Sequence, residues 1–396
     1  MKLRFFFLLL LSILIYSCSS PEEKSQSMES VDLTLQLTDS LDLDFLGAPI
    51  LASTNPKGSR FAFYDSPSGK IIISDDEGNI LDTLSKKGDT PDAYGFMIDL
   101  PVIWEDEKLI QVGMNGIFIY DEDGEMLKKI NHPEDMGGAA FMSMTGKTSK
   151  IIELNGTPYL LMNSIRTRDT YAGEQKFYDT YKAIELVNLE TGESNDFIPF
   201  EEGSRFLDGK GYIQSDYLPA YAESKGKLYI SHGGEPKVWV YDFSPESAVL
   251  DTAIALNIPQ FIPIEGSDRK EFSKGSYSVR GGMAAIRNIF VQNGKIIVSY
   301  YPGIDPLEME KAQKLWEAGD EEAATAFYTK LQEKSPPGIL IFDEASLKFL
   351  TQLEYPEKTS NGGFIVDKEY IYFQRAPDPD VEEDFLRIYK MKLVEE

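Results

Sequence analysis

The amino-acid sequence predicts an all-β fold, a six-bladed β-propeller. Two observations lead to it: a strand–turn–strand unit that recurs six times, and a strand near the N-terminus that has no hairpin partner of its own. The clearest unit is GIFIYDEDGEMLKKI at 116–130. Its four consecutive β-branched or aromatic residues, 117–120, predict a strand that is buried on both faces. Gly124, in the acidic turn, can adopt the positive φ that a tight hairpin needs.

The remaining units repeat this pattern along the chain. They lie at 70–84, 182–198, 237–253 and 338–353, and a sixth begins at 385–391 without a return strand. Another hairpin precedes each unit, with a turn marked by Gly or charged residues, as at Asn293-Gly294-Lys295. Each unit therefore has four predicted strands. Six such units at irregular spacing predict a β-propeller rather than a solenoid.

The strand without a partner is VDLTLQL at 31–37, in which apolar and polar residues alternate. Pairing it with 385–394 would supply the fourth strand of the last unit, close the ring and cover a sheet edge. An array of β-sandwiches could produce similar hairpins, but it would leave this strand unexplained.

Composition limits the classes of partner. The chain has 396 residues, of which 42% are hydrophobic, as in ordinary globular proteins. Its 65 acidic and 39 basic residues give a net charge of −26. This charge argues against nucleic acid as a partner, because binding to phosphates requires basic patches that displace counterions.

The N-terminus predicts a lipid-anchored protein. Residues 1–17 read as a signal peptide, with Lys2 and Arg4 ahead of an apolar stretch that is too short to span a membrane. Cys18 ends a segment that resembles a lipobox, so we expect lipidation of Cys18 and a membrane anchor that does not span the bilayer. Residues 18–30 form a polar tether, and 31–396 form the propeller.

The long predicted connections gather at one end of the ring, which is where propellers and other rigid scaffolds usually carry function. One of them, SKKGDTPDAYG at 85–95, has Gly88, Pro91 and Tyr94 at three-residue spacing. This loop resembles the Gly-Pro-Glu-Tyr-like loop of six-bladed propeller lipoproteins of Bacteroidota, a TolB-like or NHL-like type with domains of unknown function. The segment at 19–23 resembles the Ser-plus-acidic signal that sends some of these lipoproteins to the cell surface. The resemblance implies an outer-membrane lipoprotein of the cell envelope and transfers no catalytic residue.

The longest connection, 302–337, predicts a helical insertion in blade 5. Asp305 can cap a first helix that begins at Pro306 and ends near Gly319, and Asp320 can cap a second. The apolar faces of the two helices either pack together over the ring, or form a lid or a partner-binding hairpin.

No catalytic constellation is evident, and we predict no catalytic residue, cofactor or metal. The sequence has two histidines, His132 and His232, and both are expected at the surface. It contains no HExxH, Gly-x-Ser-x-Gly or complete calcium-binding loop. The alternative to a binding protein is a propeller hydrolase or lyase that uses carboxylates, with or without a metal, in the central channel.

Arginines in the long connections are the candidate ligand-binding residues, since a guanidinium can hold a carboxylate or sugar oxygens through two hydrogen bonds. Their alternative role is pairing with the abundant Asp and Glu. The sequence therefore predicts a binding module for a peptide, glycan or protein, with these residues on its binding face: Arg166, Arg168, His232, Arg280, Arg287 and Arg375.

Overall fold

The computed structural model describes residues 31–105, 108–134, 145–275, 281–378, 381 and 384–395. The predicted signal peptide, Cys18, the tether and Arg280 lie outside these residues. Within them, 24 strands form six antiparallel sheets of four strands each. The strands of the first three blades are β2 Pro49–Thr54, β3 Arg60–Asp65, β4 Lys70–Asp75 and β5 Ile80–Leu84; β6 Val102–Trp104, β7 Lys108–Gly113, β8 Gly116–Tyr120 and β9 Met126–Ile130; and β10 Lys150–Leu154, β11 Thr157–Asn163, β12 Ile184–Asn188 and β13 Ser194–Phe197.

The other three blades follow in chain order. Their strands are β14 Pro219–Ser224, β15 Lys227–His232, β16 Lys237–Phe243 and β17 Ala248–Ala255; β18 Ala285–Gln292, β19 Lys295–Tyr301, β20 Gly338–Asp343 and β21 Phe349–Glu354; and β22 Thr359–Val366, β23 Ile371–Arg375 and β24 Leu386–Glu395, with β1 Leu33–Leu43 as the fourth strand of blade 6. The first strand of each blade in chain order contacts the first strand of a neighbouring blade, for example β2 with β6 and β22. These first strands therefore surround the axis, and the predicted six-bladed β-propeller is confirmed.

Closure of the ring occurs as the sequence predicts. β1 pairs antiparallel with β24, from Leu33 opposite Glu395 to Leu43 opposite Leu386. The predicted strand, 31–37, was too short. The observed strand has a bulge between Leu37 and Asp39 and continues to Leu43. The polar run at 38–40 hides this continuation, because it breaks the apolar alternation on which the prediction rested.

The hydrophobic core lies between the blades rather than inside any one sheet. Six clusters of buried side chains each join two neighbouring blades. Between blades 1 and 2, for example, Phe118 and Tyr120 pack with Leu109 from the same blade and with Ala62 and Ile71 from the previous one. A single sheet could not bury its apolar faces alone, so the blades stabilise one another.

Long connections leave the blades at one end of the ring, which we call the long-loop face. It comprises the links from the second to the third strand and from the fourth strand to the next blade. The longest of these links are 85–101, 131–149, 164–183, 198–218, 256–284, 302–337 and 376–385. The turns at the opposite end are mostly short, such as 155–156, 225–226 and 293–294.

Within the described residues, α-helices occur in three of the long connections. They are α1 Gln175–Thr180, α2 Gln214–Tyr217, α3 Pro306–Glu317 and α4 Glu321–Lys334. The last two form the hairpin of blade 5. The Asp305 carboxylate accepts a hydrogen bond of 2.8 Å from the Leu307 N–H, and the Asp320 carboxylate accepts one of 3.2 Å from the Ala323 N–H. Both caps satisfy backbone N–H groups that a helix start otherwise leaves open.

The hairpin rests on the end of blade 5. Leu331 packs in an apolar cluster with Tyr301 and Ile304, where β19 ends, and Met309 and Phe327 add to it. The predicted apolar faces therefore contact the ring as well as each other. Among the residues that the structure describes, no helix is long and apolar enough to cross a membrane.

Candidate functional site

The central channel is crossed by residues 145–149, which we call the channel segment. It ends the long connection between blades 2 and 3, and all five of its residues are buried. The Thr145 hydroxyl donates to the Leu51 carbonyl in blade 1 (2.8 Å), and the Thr145 carbonyl accepts from Asn288 in blade 5 (3.0 Å). The Ser149 N–H donates to the Asp99 carboxylate (2.7 Å), just before blade 2. Only a segment near the axis can reach all these strands.

Gly146 lets the channel segment pass this closely. Its φ is 79°, and a Cβ at this position would lie 1.7 Å from the Asn288 side-chain nitrogen and 2.6 Å from the Phe364 carbonyl oxygen. Any other residue would push the segment away from blades 5 and 6. The segment is therefore fitted into the ring and closes the channel at this level.

Two lysines bring positive charge into the channel. The Lys147 ammonium donates to the Leu218 carbonyl (3.0 Å), and its side chain is only 4% exposed. The Lys150 ammonium donates to the carbonyls of Tyr221 and Ile289, the latter at 2.9 Å. Burial lowers the pKa of each lysine from 10.5 to about 7, and the neighbouring Arg287 contributes further at Lys147.

Arg287 lies beside Lys147 at the long-loop end of the channel. Its guanidinium lies 5.3 Å from the centre of the Tyr301 ring, and burial lowers its pKa. The Tyr301 side chain is 5% exposed, and its hydroxyl has no hydrogen-bond partner among the described residues. Burial raises the pKa of Tyr301 to about 12, so the hydroxyl keeps its proton and can donate. We call Lys147, Arg287 and Tyr301 the mouth site.

The helical hairpin borders the mouth site. Tyr328 of α4 belongs to the cluster that covers Tyr301, and its hydroxyl is close enough to affect the pKa of Arg287. Tyr355, which follows β21, also lies close to this guanidinium. Three tyrosines thus surround Arg287, and one of them comes from the hairpin.

Arg166 and Arg168 lie together on the long-loop end of blade 3, but their guanidinium groups are engaged. Arg166 donates to the Glu185 carboxylate (2.9 Å) and to the Ser194 hydroxyl (2.8 Å). Arg168 pairs with the Asp196 carboxylate. These two arginines adopt the alternative role of pairing with acids, so each already has the carboxylate that a ligand would have to replace.

A small cavity lies next to this network, between blades 2 and 3, with room for about one water molecule. His132 and Glu185 line it. A His132 ring nitrogen, Nε2, lies 2.6 Å from the Gly113 carbonyl oxygen. The pKa of His132 is lowered, mainly by burial. The cavity is too small for an organic substrate.

His232 corrects the expectation of surface histidines. It is the last residue of β15 and is fully buried, with the rings of Phe200 and Tyr181 centred 5.1 Å and 5.9 Å away. Burial lowers its pKa to about 4, so the ring is neutral at pH 7. An aromatic layer between blades 3 and 4 closes it off from a ligand on the long-loop face.

The other predicted face residues are placed as follows. Arg287 lies in the innermost strand of blade 5, beside the channel rather than in a loop. Arg375 is the last residue of β23, so it is part of a strand, not of the long connection that follows. Arg280 lies outside the described residues.

A larger cleft lies at the opposite end of the ring, between blades 1 and 2. Its volume is about 350 Å³. Apolar residues such as Ile73 and Leu109 line it, together with charges of both signs that include Arg60, Lys108 and Asp82. It competes with the long-loop face as a place for a ligand.

No group of three or more His, Cys, Asp or Glu side chains within the described ranges could hold a metal ion. At its long-loop end the channel presents lysines and an arginine.

Sequence reasoning missed Lys147 and Lys150. They stand in TGKTSK at 145–150, which reads as an ordinary polar loop ahead of a strand. A signal was nevertheless present, because two lysines flank small residues immediately before an innermost strand, where the chain must turn toward the axis.

Comparison with known proteins supports the fold. No family model matches the sequence, and no curated protein does. Among solved structures, a DUF4221 family member from Bacteroides vulgatus aligns with 93% of this chain and 100% of its own, at 12% identity and a TM-score of 0.60. The two chains share one fold. This agrees, at the level of the fold, with the resemblance to propellers of Bacteroidota.

Two other solved structures align less closely. A candidate exported protein from Bacteroides fragilis matches 93% of this chain and 96% of its own, at 10% identity and a TM-score of 0.48. The calcium-binding protein regucalcin from Agrobacterium tumefaciens matches 91% and 95%, at 10% identity and a TM-score of 0.43.

Proposed function

We propose that this protein is a binding module of the bacterial cell envelope that takes its ligand on the long-loop face. One observation carries the proposal: at the centre of this face, where the channel segment closes the ring, the mouth site groups two cations with a tyrosine hydroxyl that has no partner within the described residues. Buried polar groups at the rim of a rigid scaffold are typical of ligand sites.

The arrangement suits binding better than catalysis. Lys147, near its pKa of about 7, could act as a base, but the contact described for its ammonium is the Leu218 carbonyl. A guanidinium, an ammonium and a phenol together hold and orient a ligand. The ligand is a peptide, a glycan or a partner protein.

The location in the envelope is part of the same proposal. The predicted signal peptide and lipid attachment at Cys18 would hold the propeller at a membrane surface by the tether 18–30, with the long-loop face free to meet a ligand. Mass spectrometry of the protein from membranes tests this, since a diacylglyceryl group on Cys18 is the expected result and an unmodified cysteine would contradict it.

A thermal-shift screen of the whole chain against glycans and peptides tests the binding role. A ligand at 100 times its dissociation constant should add about 2.7 kcal/mol to the free energy of unfolding. The hits are then repeated on a chain that lacks 305–335 and on Asp82→Asn, a control in the cleft at the opposite end. Binding that survives in Asp82→Asn and weakens in the deletion supports the long-loop face. The opposite pattern moves the site to the cleft and overturns the proposal.

A further inference from the structure

We infer that the mouth site binds an anionic group of the ligand, a carboxylate or a phosphate, through Lys147, Arg287 and Tyr301. This inference rests on the proposed function and deepens it, because it names the chemistry that the long-loop face recognises. It goes beyond the predicted set of arginines, since two of the three residues were not part of that set.

The first step concerns the Lys147 ammonium. It is buried and donates to one backbone carbonyl, that of Leu218. An ammonium has three donors, so a single carbonyl leaves most of its capacity unused. The charged group described as acting on its pKa is another cation, Arg287. Adding an anion between these two cations would relieve their repulsion and favour the protonated lysine.

The second step concerns the Tyr301 hydroxyl as a hydrogen-bond donor. The Tyr301 hydroxyl is buried, protonated at neutral pH and without a partner within the described residues. The Arg287 guanidinium lies over the ring that carries this hydroxyl. A buried donor without an acceptor is costly, and an anion oxygen near the guanidinium would supply that acceptor. The Tyr301 hydroxyl and the Arg287 guanidinium thus lie together, and Lys147 is close enough to Arg287 for their charges to interact.

The third step concerns the surroundings. Tyr328 and Tyr355 flank Arg287, and the apolar cluster of the hairpin closes one side. Charge-assisted hydrogen bonds are strongest where water is excluded. A carboxylate of an acidic sugar or peptide and a phosphate of a phosphorylated glycan or peptide share this chemistry, so both are probed.

The test compares glucuronate with glucose, which differ in one carboxylate, and adds inorganic phosphate as a second anion, each at constant ionic strength. Binding to the whole chain is measured by calorimetry. Glucuronate should bind at least about tenfold more tightly than glucose, and its affinity should fall up to about tenfold per pH unit above pH 7, as Lys147 loses its proton. Phosphate binding without glucuronate binding points to a phosphate ligand, and the reverse points to a carboxylate.

Variants assign the effect to the site. Lys147→Met should reduce glucuronate affinity about tenfold or more, and Tyr301→Phe, which removes one donor, should reduce it about fivefold. Each has a matched control: Lys150→Met removes another lysine of the channel, and Tyr300→Phe removes a neighbouring hydroxyl, one that accepts from Gln352. Both controls should retain binding.

Two results would overturn the inference: neither glucuronate nor phosphate binds the native chain more tightly than glucose does, or anion affinity is unchanged in both Lys147→Met and Tyr301→Phe. The proposed function fails separately. If a neutral glycan or peptide binds the long-loop face and these variants do not change its affinity, the proposed binding function is supported and the anion site is refuted.

Discussion

The stability of this protein should rise between pH 7 and pH 9, and replacing Lys147 and Lys150 with methionine should remove that rise. The perturbation is chosen because both ammonium groups lie in the channel, where burial lowers the pKa of each from 10.5 to about 7. Methionine keeps the length and apolar stem of the side chain but carries no proton to titrate.

The sign follows from proton uptake. Between pH 7 and 10.5 an unfolded chain holds a proton on each lysine, whereas the folded chain has released it, so the unfolded state binds more protons and stability increases with pH. Below pH 7 both states hold the proton, and the cost of the buried charge is constant. With these pKa values each lysine contributes about 2 kcal/mol between pH 7 and pH 9, and the pair about 4 kcal/mol.

The assay is urea unfolding followed by tryptophan fluorescence, at half-unit steps of pH in a buffer without phosphate. The window is informative because Asp, Glu and His have already lost their protons there. Each single variant should show about half of the native slope, and the double variant should be nearly flat. A native chain whose stability is constant or falls from pH 7 to 9 would refute the reasoning, as would a double variant that keeps the full slope.

Three further predictions concern the ring and its polar interior. Leu43→Ala should lower the free energy of unfolding by about 2 to 5 kcal/mol, because this side chain on the closing strand is fully buried; urea unfolding measures it, with the exposed Val249→Ala as control. Arg166→Ala should cost about 3 to 5 kcal/mol, since it leaves the buried Glu185 carboxylate without its cation, and a loss below about 1 kcal/mol in the same assay would contradict this. His232→Leu should reduce the loss of stability on acidification from pH 6.5 to 4. In the native chain His232 contributes about 3 kcal/mol to this loss, because the buried ring takes up a proton only near pH 4. Unfolding followed by circular dichroism across that range measures the difference.

Much of the fold could be predicted from the sequence, because a propeller repeats the same local signal in every blade. An apolar run followed by a Gly or acidic turn marks β8 and β9, with the strand bounds of the outer one at 126–130 as predicted. The helical hairpin could be predicted as well, since Asp305, Pro306 and Asp320 are strong local signals for helix starts.

The sequence could predict which face of the ring carries the site, but not which side chains form it. Loop lengths place the long connections at one end, but which side chains meet there depends on strand register and on the path of the channel segment. Arg166 and Arg287 carry the same charge, and the sequence does not show that the first meets Glu185 or that the second lies over the Tyr301 ring. His232 shows the same limit. Its predicted place, in or beside a loop of the long-loop face, did not reveal the aromatic layer that encloses it.

The positions of the cations indicate that an anion binds more strongly at the mouth site than at Arg166 and Arg168. In a chain with a net charge of −26, a surface arginine finds a carboxylate easily, as Arg168 does with Asp196. Lys147 instead carries its charge into the channel, at a cost of several kcal/mol for an ammonium removed from water, and the contact described for it is a carbonyl. An apolar side chain of similar size would avoid that cost. An anionic ligand would gain from the charge directly, because the desolvation of the lysine has already occurred when the ligand arrives and only the attraction remains to be made.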